Sequence, residues 1–292
     1  MRQGEASVRY AYYSGCSLHG SAREYDMSWR AVCQRLGIDL VEIPDWSCCG
    51  TVHAASVDRL LALRLAARNL AIAEEMDLEV VAPCSGCYKA LRTADAMLKE
   101  DPDLLARAGA GLPRSFRGST AVKHPLYVVL EDVGLEALAD VPRPLEGVAV
   151  APYYGCVLTR PPASPPVDDP EEPQGLDRLL QAIGAQVVPY GAKTKCCGGA
   201  VLVSHPDVAV ELAATLLGQA KRAGAECLAV ACPMCQMVLD AYQPRIARKL
   251  GEELDLPVLY FTQLLGVALG LDAAVLGLQR LLTPPRAVLA LV

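Results

Sequence analysis

Ten of the twelve cysteines in this 292-residue chain fall into one pattern that occurs twice. The first copy is Cys16, Cys48, Cys49, Cys84 and Cys87; the second is Cys156, Cys196, Cys197, Cys232 and Cys235. In both, a glycine follows the adjacent pair (Gly50 or Gly198), and 34 residues separate the pair from a C-x2-C unit. The first interval is 31 residues in one copy and 39 in the other. The additional eight coincide with a proline-rich, acidic stretch at 160–173, which reads as a surface loop. Equal spacing over such a distance implies two halves of like architecture, divided as 1–146 and 147–292.

Hydrophobic periodicity repeats with the cysteines. Residues 8–13 and 148–154 read as buried strands that deliver Cys16 and Cys156. A helix follows in each half (22–36 and 176–183), then a second strand (39–43 and 186–189) leading to the paired cysteines. A long amphipathic helix comes next, 57–76 or 207–222, and a third strand, 79–82 or 227–231, runs into the C-x2-C unit, where another helix starts. The order β–α–β–α–β–α, twice over, predicts an α/β fold. It consists of two tandem Rossmann-like halves with parallel sheets, related by pseudo-twofold symmetry. Every motif cysteine then follows a strand, on the carboxyl edge where open parallel sheets bind ligands. The long intervals have a geometric cause, because 30–40 residues is about one strand–helix–strand excursion back to that edge.

Composition narrows the classes of function. Hydrophobic residues make up 52% and charged residues 21%, which predicts a packed core rather than disorder. A net charge of −6 offers nothing to nucleic acid or an anionic membrane. Mean hydropathy is positive, but the longest apolar segment, 256–271, contains Gln263 and is shorter than the roughly 20 residues a span needs. The N-terminus lacks the hydrophobic stretch of a secretory signal, so a cytoplasmic protein is expected.

In a reducing cytoplasm, clustered thiols hold metal more often than they form disulfides. A C-x2-C unit between a strand end and a helix N-terminus favours thiolate, the form that binds metal. Structural zinc sites pair two C-x2-C units about 15–20 residues apart, whereas each half here has one C-x2-C and one Cys-Cys, so zinc fits poorly. A thioredoxin-like dithiol would leave six motif cysteines idle. Iron–sulfur clusters use sets of thiolates, ordinarily four, so each half has one to spare. The fifth thiolate has two uses open to it: bridging irons in a distorted cluster, or serving as a redox partner.

The pattern C-x31–39-CCG-x34–36-C-x2-C, with YYSGCSLHGSAREYD at the start, GCVLTRPP and DDPEEPQGLDRLL at the second motif and PVLYFTQLLGVALGL near the end, resembles the B-subunit family of heterodisulfide reductases, built from two cysteine-rich CCG domains. The resemblance covers nearly the whole chain. It implies two noncubane 4Fe-4S clusters, one held by Cys16, Cys48, Cys49, Cys84 and Cys87, the other by Cys156, Cys196, Cys197, Cys232 and Cys235. It also implies that the clusters face a shared cavity, where a disulfide is split between them. The catalytic chemistry is expected at the clusters rather than at a side chain.

The other candidates have plainer readings. Cys33, in a helix, and Cys227, in an apolar strand, are expected in the core. His53 and His205 follow the two Cys-Cys pairs and could donate to sulfide or substrate, but a solvated or capping role is the expectation, as for His19. Lys193 and Lys195, before Cys196, would either offset cluster charge or lie in solvent. Loop 160–173 would be a lid or a surface connection, and segment 256–271 a docking face or core, with core expected.

Two functions stand ahead of a third, a structural zinc protein, which iron and acid-labile sulfide analysis would separate from them. One is an oxidoreductase subunit that cleaves or forms an S–S bond of a small disulfide or thiol. It would be fed by a cubane iron–sulfur partner and a flavin partner, like the C and A subunits of heterodisulfide reductases, because this chain has no nucleotide fingerprint of the G-x-G-x-x-G type. The other is an electron-transfer subunit of a quinone-linked oxidoreductase.

Overall fold

The computed structural model describes residues 8–142, 145–160 and 167–292. The reading of the N-terminal leader therefore falls partly outside the described residues, as does the centre of loop 160–173. The first sheet has strands β1 (Val8–Tyr12), β2 (Ile38–Glu42), β3 (Glu79–Val81) and β4 (Val122–Lys123) in the order β2-β1-β3-β4, all parallel. The second has β5 (Ala149–Tyr153), β6 (Gln186–Val187), β7 (Cys227–Val230) and β8 (Val258–Tyr260) in the order β6-β5-β7-β8, again all parallel. The two-half α/β architecture is thus the one expected, with one more strand in each half. A strand as short as β4 shows no period, and β8 sits at the head of an apolar run that alternation cannot divide.

One helix also differs. The amphipathic run expected as 57–76 is the helix Arg59–Glu75, but a short further helix, Thr51–Val57, precedes it and is set off from it at Asp58. The Asp58 backbone is extended, and its carboxylate accepts from the N–H groups of Leu60 (2.7 Å) and Leu61 (3.2 Å). An aspartate that can satisfy the free N–H groups of a helix start competes with helix continuation.

The two sheets share one continuous core. After β8, the helix Phe261–Ala268 packs on Arg23–Leu36 of the first half. After β4, the segment from Pro125 to Leu138 packs on Gly175–Ala182 of the second. Each half thus lends its last crossover to the first helix of the other, as pseudo-twofold symmetry requires. The seam is mixed in character. Tyr25 stacks on Tyr260 at 4.1 Å between ring centroids, and Ser28 and Thr262 share a buried hydroxyl hydrogen bond of 2.7 Å. Segment 256–271 is therefore core and seam. No helix among the described residues is long and apolar enough to cross a membrane.

Candidate iron–sulfur centre

All ten motif cysteines follow strands of the two sheets, at the carboxyl edge. Cys16 follows β1, Cys48 and Cys49 follow β2, and Cys84 and Cys87 follow β3; the second half repeats this after β5, β6 and β7. Cys84 caps the helix Ser85–Glu100 and Cys232 caps Pro233–Ala241.

The sulfurs form a file that crosses the seam. Cys48 contacts Cys49, whose Sγ lies 3.2 Å from Cys87 Sγ, and Cys87 contacts Cys84. Cys84 meets Cys232 of the other half. Cys232 then contacts Cys235, whose Sγ lies 3.4 Å from Cys197 Sγ. Cys156 and Cys196 are likewise neighbours. The middle of the file is buried, Cys16 and Cys48 are exposed, and Cys156 and Cys196 are half-buried.

Protons are unevenly shared along it. Donation from Cys48 and Cys87 holds the Cys49 thiol down at about 4, and the two donors are pushed up in turn. Cys156 holds Cys196 down at about 6, and Cys235 and Cys84 hold Cys232 well below the usual thiol range. Three positions therefore already favour the thiolate that binds metal.

Two pairs of glycines explain how adjacent cysteines serve one centre. Neighbouring residues of a strand point to opposite faces, so a turn is needed at each Cys-Cys pair. It comes at Gly50 (φ 76°) and Gly198 (φ 85°), whose N–H groups lie 3.4 and 3.3 Å from Cys48 Sγ and Cys196 Sγ. A Cβ at Gly50 would stand 2.5 Å from Ala54 Cβ, and one at Gly198 2.5 Å from Ala209 Cα. Gly15 (φ +66°) and Gly155 (φ +74°) open the opposite side, where a Cβ would stand 3.3 Å from Cys87 Sγ or Cys235 Sγ.

This donor set suits a polynuclear group. Among the described residues, no three His, Cys, Asp or Glu groups are arranged to hold a single metal ion. A tetrahedral zinc site needs four donors within about 2.3 Å of one point. A cluster with its own sulfides spreads its thiolates over a larger body, and a file of thiols flanked by glycines is compatible with that need.

Two supports went unread in the sequence. Tyr13 and Tyr153 each donate a hydroxyl to the carbonyl preceding the Cys-Cys pair: Tyr13 to Ser47 O at 2.6 Å, Tyr153 to Lys195 O at 2.7 Å. The signal was present, as Tyr-x-Gly-Cys at 13–16 and again at 153–156. His124, fully buried at the start of the helix after β4, places Nε2 2.8 Å from Pro83 O and 3.0 Å from Ala231 O, the carbonyls that precede Cys84 and Cys232. Its Nδ1 accepts from Leu126 N–H, so the proton sits on Nε2 and bridges both halves. Burial lowers its pKa to about 4. No spacing rule could have found it, since its partners are main-chain atoms of distant loops.

The other candidates are peripheral. His53 is exposed, with Nδ1 3.1 Å from Thr51 Oγ1, and His205 is exposed beside Ser204. His19 contacts Ser14, Glu42 and the Trp46 ring. Lys193 donates to Pro173 O and Asp177, and Lys195 is exposed. Cys33 and Cys227 are buried in the core, and burial pushes both thiols up, that of Cys227 to about 12. The described ends of loop 160–173 are tied down by the Arg160–Glu171 ion pair and by Asp168, which accepts from Gln174 and Gly175.

The cysteine-rich domain family CCG matches residues 10–92 and 150–240. The chain is 36% identical over 271 residues to the 8-methylmenaquinol:fumarate reductase membrane anchor subunit of Wolinella succinogenes, covering 92% of this chain and 95% of that one. It is 33% identical over 279 residues to the B subunit of the ferredoxin:CoB-CoM heterodisulfide reductase of Methanosarcina mazei, covering 93% of each. A crystal structure of a hypothetical protein from Helicobacter pylori shares the fold, with a TM-score of 0.79 at 14% identity; it spans 96% of this chain and 52% of its own. The two cysteine sets, the repeated sheet and these likenesses together place the chain in the B-subunit family of heterodisulfide reductases, with two CCG cysteine-rich domains.

Proposed function

We propose that residues 1–146 and 147–292 each hold one noncubane 4Fe-4S cluster through all five cysteines of their motif. We further propose that the protein is the member of a heterodisulfide-reductase-like complex that cleaves or forms an S–S bond. The observation that carries this reading is the meeting of the two C-x2-C turns across the seam, where Ser85 donates to Ala231 O and His124 lies within hydrogen-bond reach of both Pro83 O and Ala231 O. Reductive cleavage of a disulfide consumes two electrons and two protons and yields two thiols. The clusters would supply single electrons at sulfur.

The chain's own residues give this arrangement its geometry. Tyr13 and Tyr153 hold the loops before the Cys-Cys pairs, and His124 ties the two C-x2-C turns to each other. Burial of the central six cysteines keeps water from the middle of the file. Electrons would arrive through a cubane iron–sulfur partner and a flavin partner in the cytoplasm. A second reading is favoured by the relative from Wolinella, whose name joins the same domain pair to quinol chemistry. There the chain would pass electrons between its clusters and a quinone-linked partner, which would supply any membrane contact.

The test is anaerobic assay of the purified, iron-loaded protein with reduced viologen dye as electron donor. Thiol release from small-molecule disulfides, abolished by Cys84→Ser and by Cys232→Ser, is expected. Viologen oxidation that proceeds with a water-soluble quinone, with no disulfide yielding thiol, would select the second reading.

A further inference from the structure

The internal repeat exposes an asymmetry that the cysteines do not share. From the Cys-Cys pair to the helix after the C-x2-C unit, residue n of the first half corresponds to residue n+148 of the second, as Cys48 does to Cys196 and Cys87 to Cys235. In the second half, Met234 sits within the C-x2-C unit and fills the space over Gly199, where an added Cβ would stand 2.5 Å from Met234 Cγ. Its counterpart in the first half is Gly86, beside which Thr51, the counterpart of Gly199, leaves ordinary contact distance: an added Cβ would stand 3.5 Å from Thr51 Cγ2. A groove of about 350 Å3 runs there between the helices Arg59–Glu75 and Ser85–Glu100. That is within the range of small-molecule sites, about 300–1,000 Å3.

The substitutions along the groove are concerted. Ala62 and Ala90 line it where the second half has Val210 and Val238, so two wall positions are smaller, whereas Thr51 is larger than its counterpart Gly199. Arg59 and Lys89 stand where the second half has Asp207 and Met237, so the groove is also cationic, and no acidic side chain among the described residues lines it. The Thr93 hydroxyl, buried without a hydrogen-bond partner, is a further lining group; its counterpart is Ala241. A buried hydroxyl without a partner is unfavourable, and a ligand oxygen would satisfy it. The inner end is Gly86 itself, where an added Cβ would lie 3.6 Å from Cys84 Sγ.

We infer that the first half carries a binding site for a small amphiphilic anion. Its apolar body lies along the alanine-lined walls, its acidic end is met by Lys89 and Arg59, and its inner end abuts the first cysteine set. The second half has lost the site by filling it with Met234. Binding there does not depend on the sulfur chemistry proposed above, so either can fail without the other.

The probe is decanoate, titrated calorimetrically into anaerobically prepared, iron-loaded protein, with decanol as its uncharged counterpart. Saturable binding of one decanoate per chain is expected. Gly86→Met, which copies the second half, should weaken it by about tenfold or more. The backbone permits this change, since φ at Gly86 is not positive and the added Cβ meets only ordinary contacts at 3.5 and 3.6 Å. Ala90→Met narrows the groove from the helix, away from the cysteines, and should act likewise with unchanged iron content. Lys89→Met should weaken decanoate several-fold and leave decanol unaffected. Absence of saturable decanoate binding would overturn the inference. So would binding indifferent to both Gly86→Met and Ala90→Met, or Lys89→Met acting equally on decanoate and decanol.

Discussion

Replacing His124 by phenylalanine keeps the ring against Tyr88, Tyr127 and Phe261 but removes the one N–H that serves two main-chain carbonyls from different halves. Ala231 O keeps a second donor, the Ser85 hydroxyl at 3.1 Å, so Pro83 O bears most of the loss. One buried acceptor left unpaired costs about 1–3 kcal/mol. Truncation to alanine adds a cavity beneath three rings and should bring the total to about 3–5 kcal/mol. Glutamine, whose amide nitrogen can stand near the Nε2 position, should recover part of the loss.

The pH dependence provides an independent check. The folded-state pKa of His124, about 4, lies below the 6.5 of a free imidazole, so the unfolded chain takes up the proton first. The stability associated with neutral His124 is complete above pH 6.5 and is lost as pH falls through about 4. At the low end the loss amounts to about 3 kcal/mol. Urea midpoints of the reduced protein and of His124→Phe, compared from pH 7 downward, cancel what the two share. The wild type should lead at pH 7 and lose its advantage on acidification. Equal midpoints at pH 7, or parallel pH profiles, would refute the bridging role.

Three further outcomes follow from the cysteine loops. Gly198→Ala should cost more than Gly50→Ala, because the new methyl meets backbone at Ala209 in one case and the Ala54 methyl in the other. Either change combines a left-handed backbone with overpacking, a loss of about 2–4 kcal/mol measurable by urea unfolding. Cys197→Ser should change the cluster type seen by electron paramagnetic resonance and abolish thiol release, and Cys49→Ser likewise. Cys227→Ser and Cys33→Ser should leave the spectrum intact, because those side chains pack in the core.

What could be read from the sequence, and what could not, follows the range of the interactions. The five-cysteine sets, their strands and the turns at Gly50 and Gly198 were legible, because each rests on residues a few positions apart or on a repeated interval. The short helix Thr51–Val57 went unread because seven residues directly after the Cys-Cys-Gly turn carry too little period to mark a helix of their own. β4 and β8 went unread because two or three residues carry no period. The exchange of crossovers between halves, and His124 with it, depends on surfaces that meet only after both sheets form. The groove beside Gly86 is written in the repeat, but only the packing of Met234 on Gly199 reveals what the difference does.

The central claim is that each cysteine set holds an iron–sulfur cluster, and metal analysis of the anaerobically purified protein tests it most directly. Two complete five-thiol sets predict about eight irons per chain with a matching amount of acid-labile sulfide. Cys16→Ser and Cys156→Ser should each perturb one set and leave the other loaded. Zinc as the dominant metal, without acid-labile sulfide, in protein produced with ample iron would contradict the account.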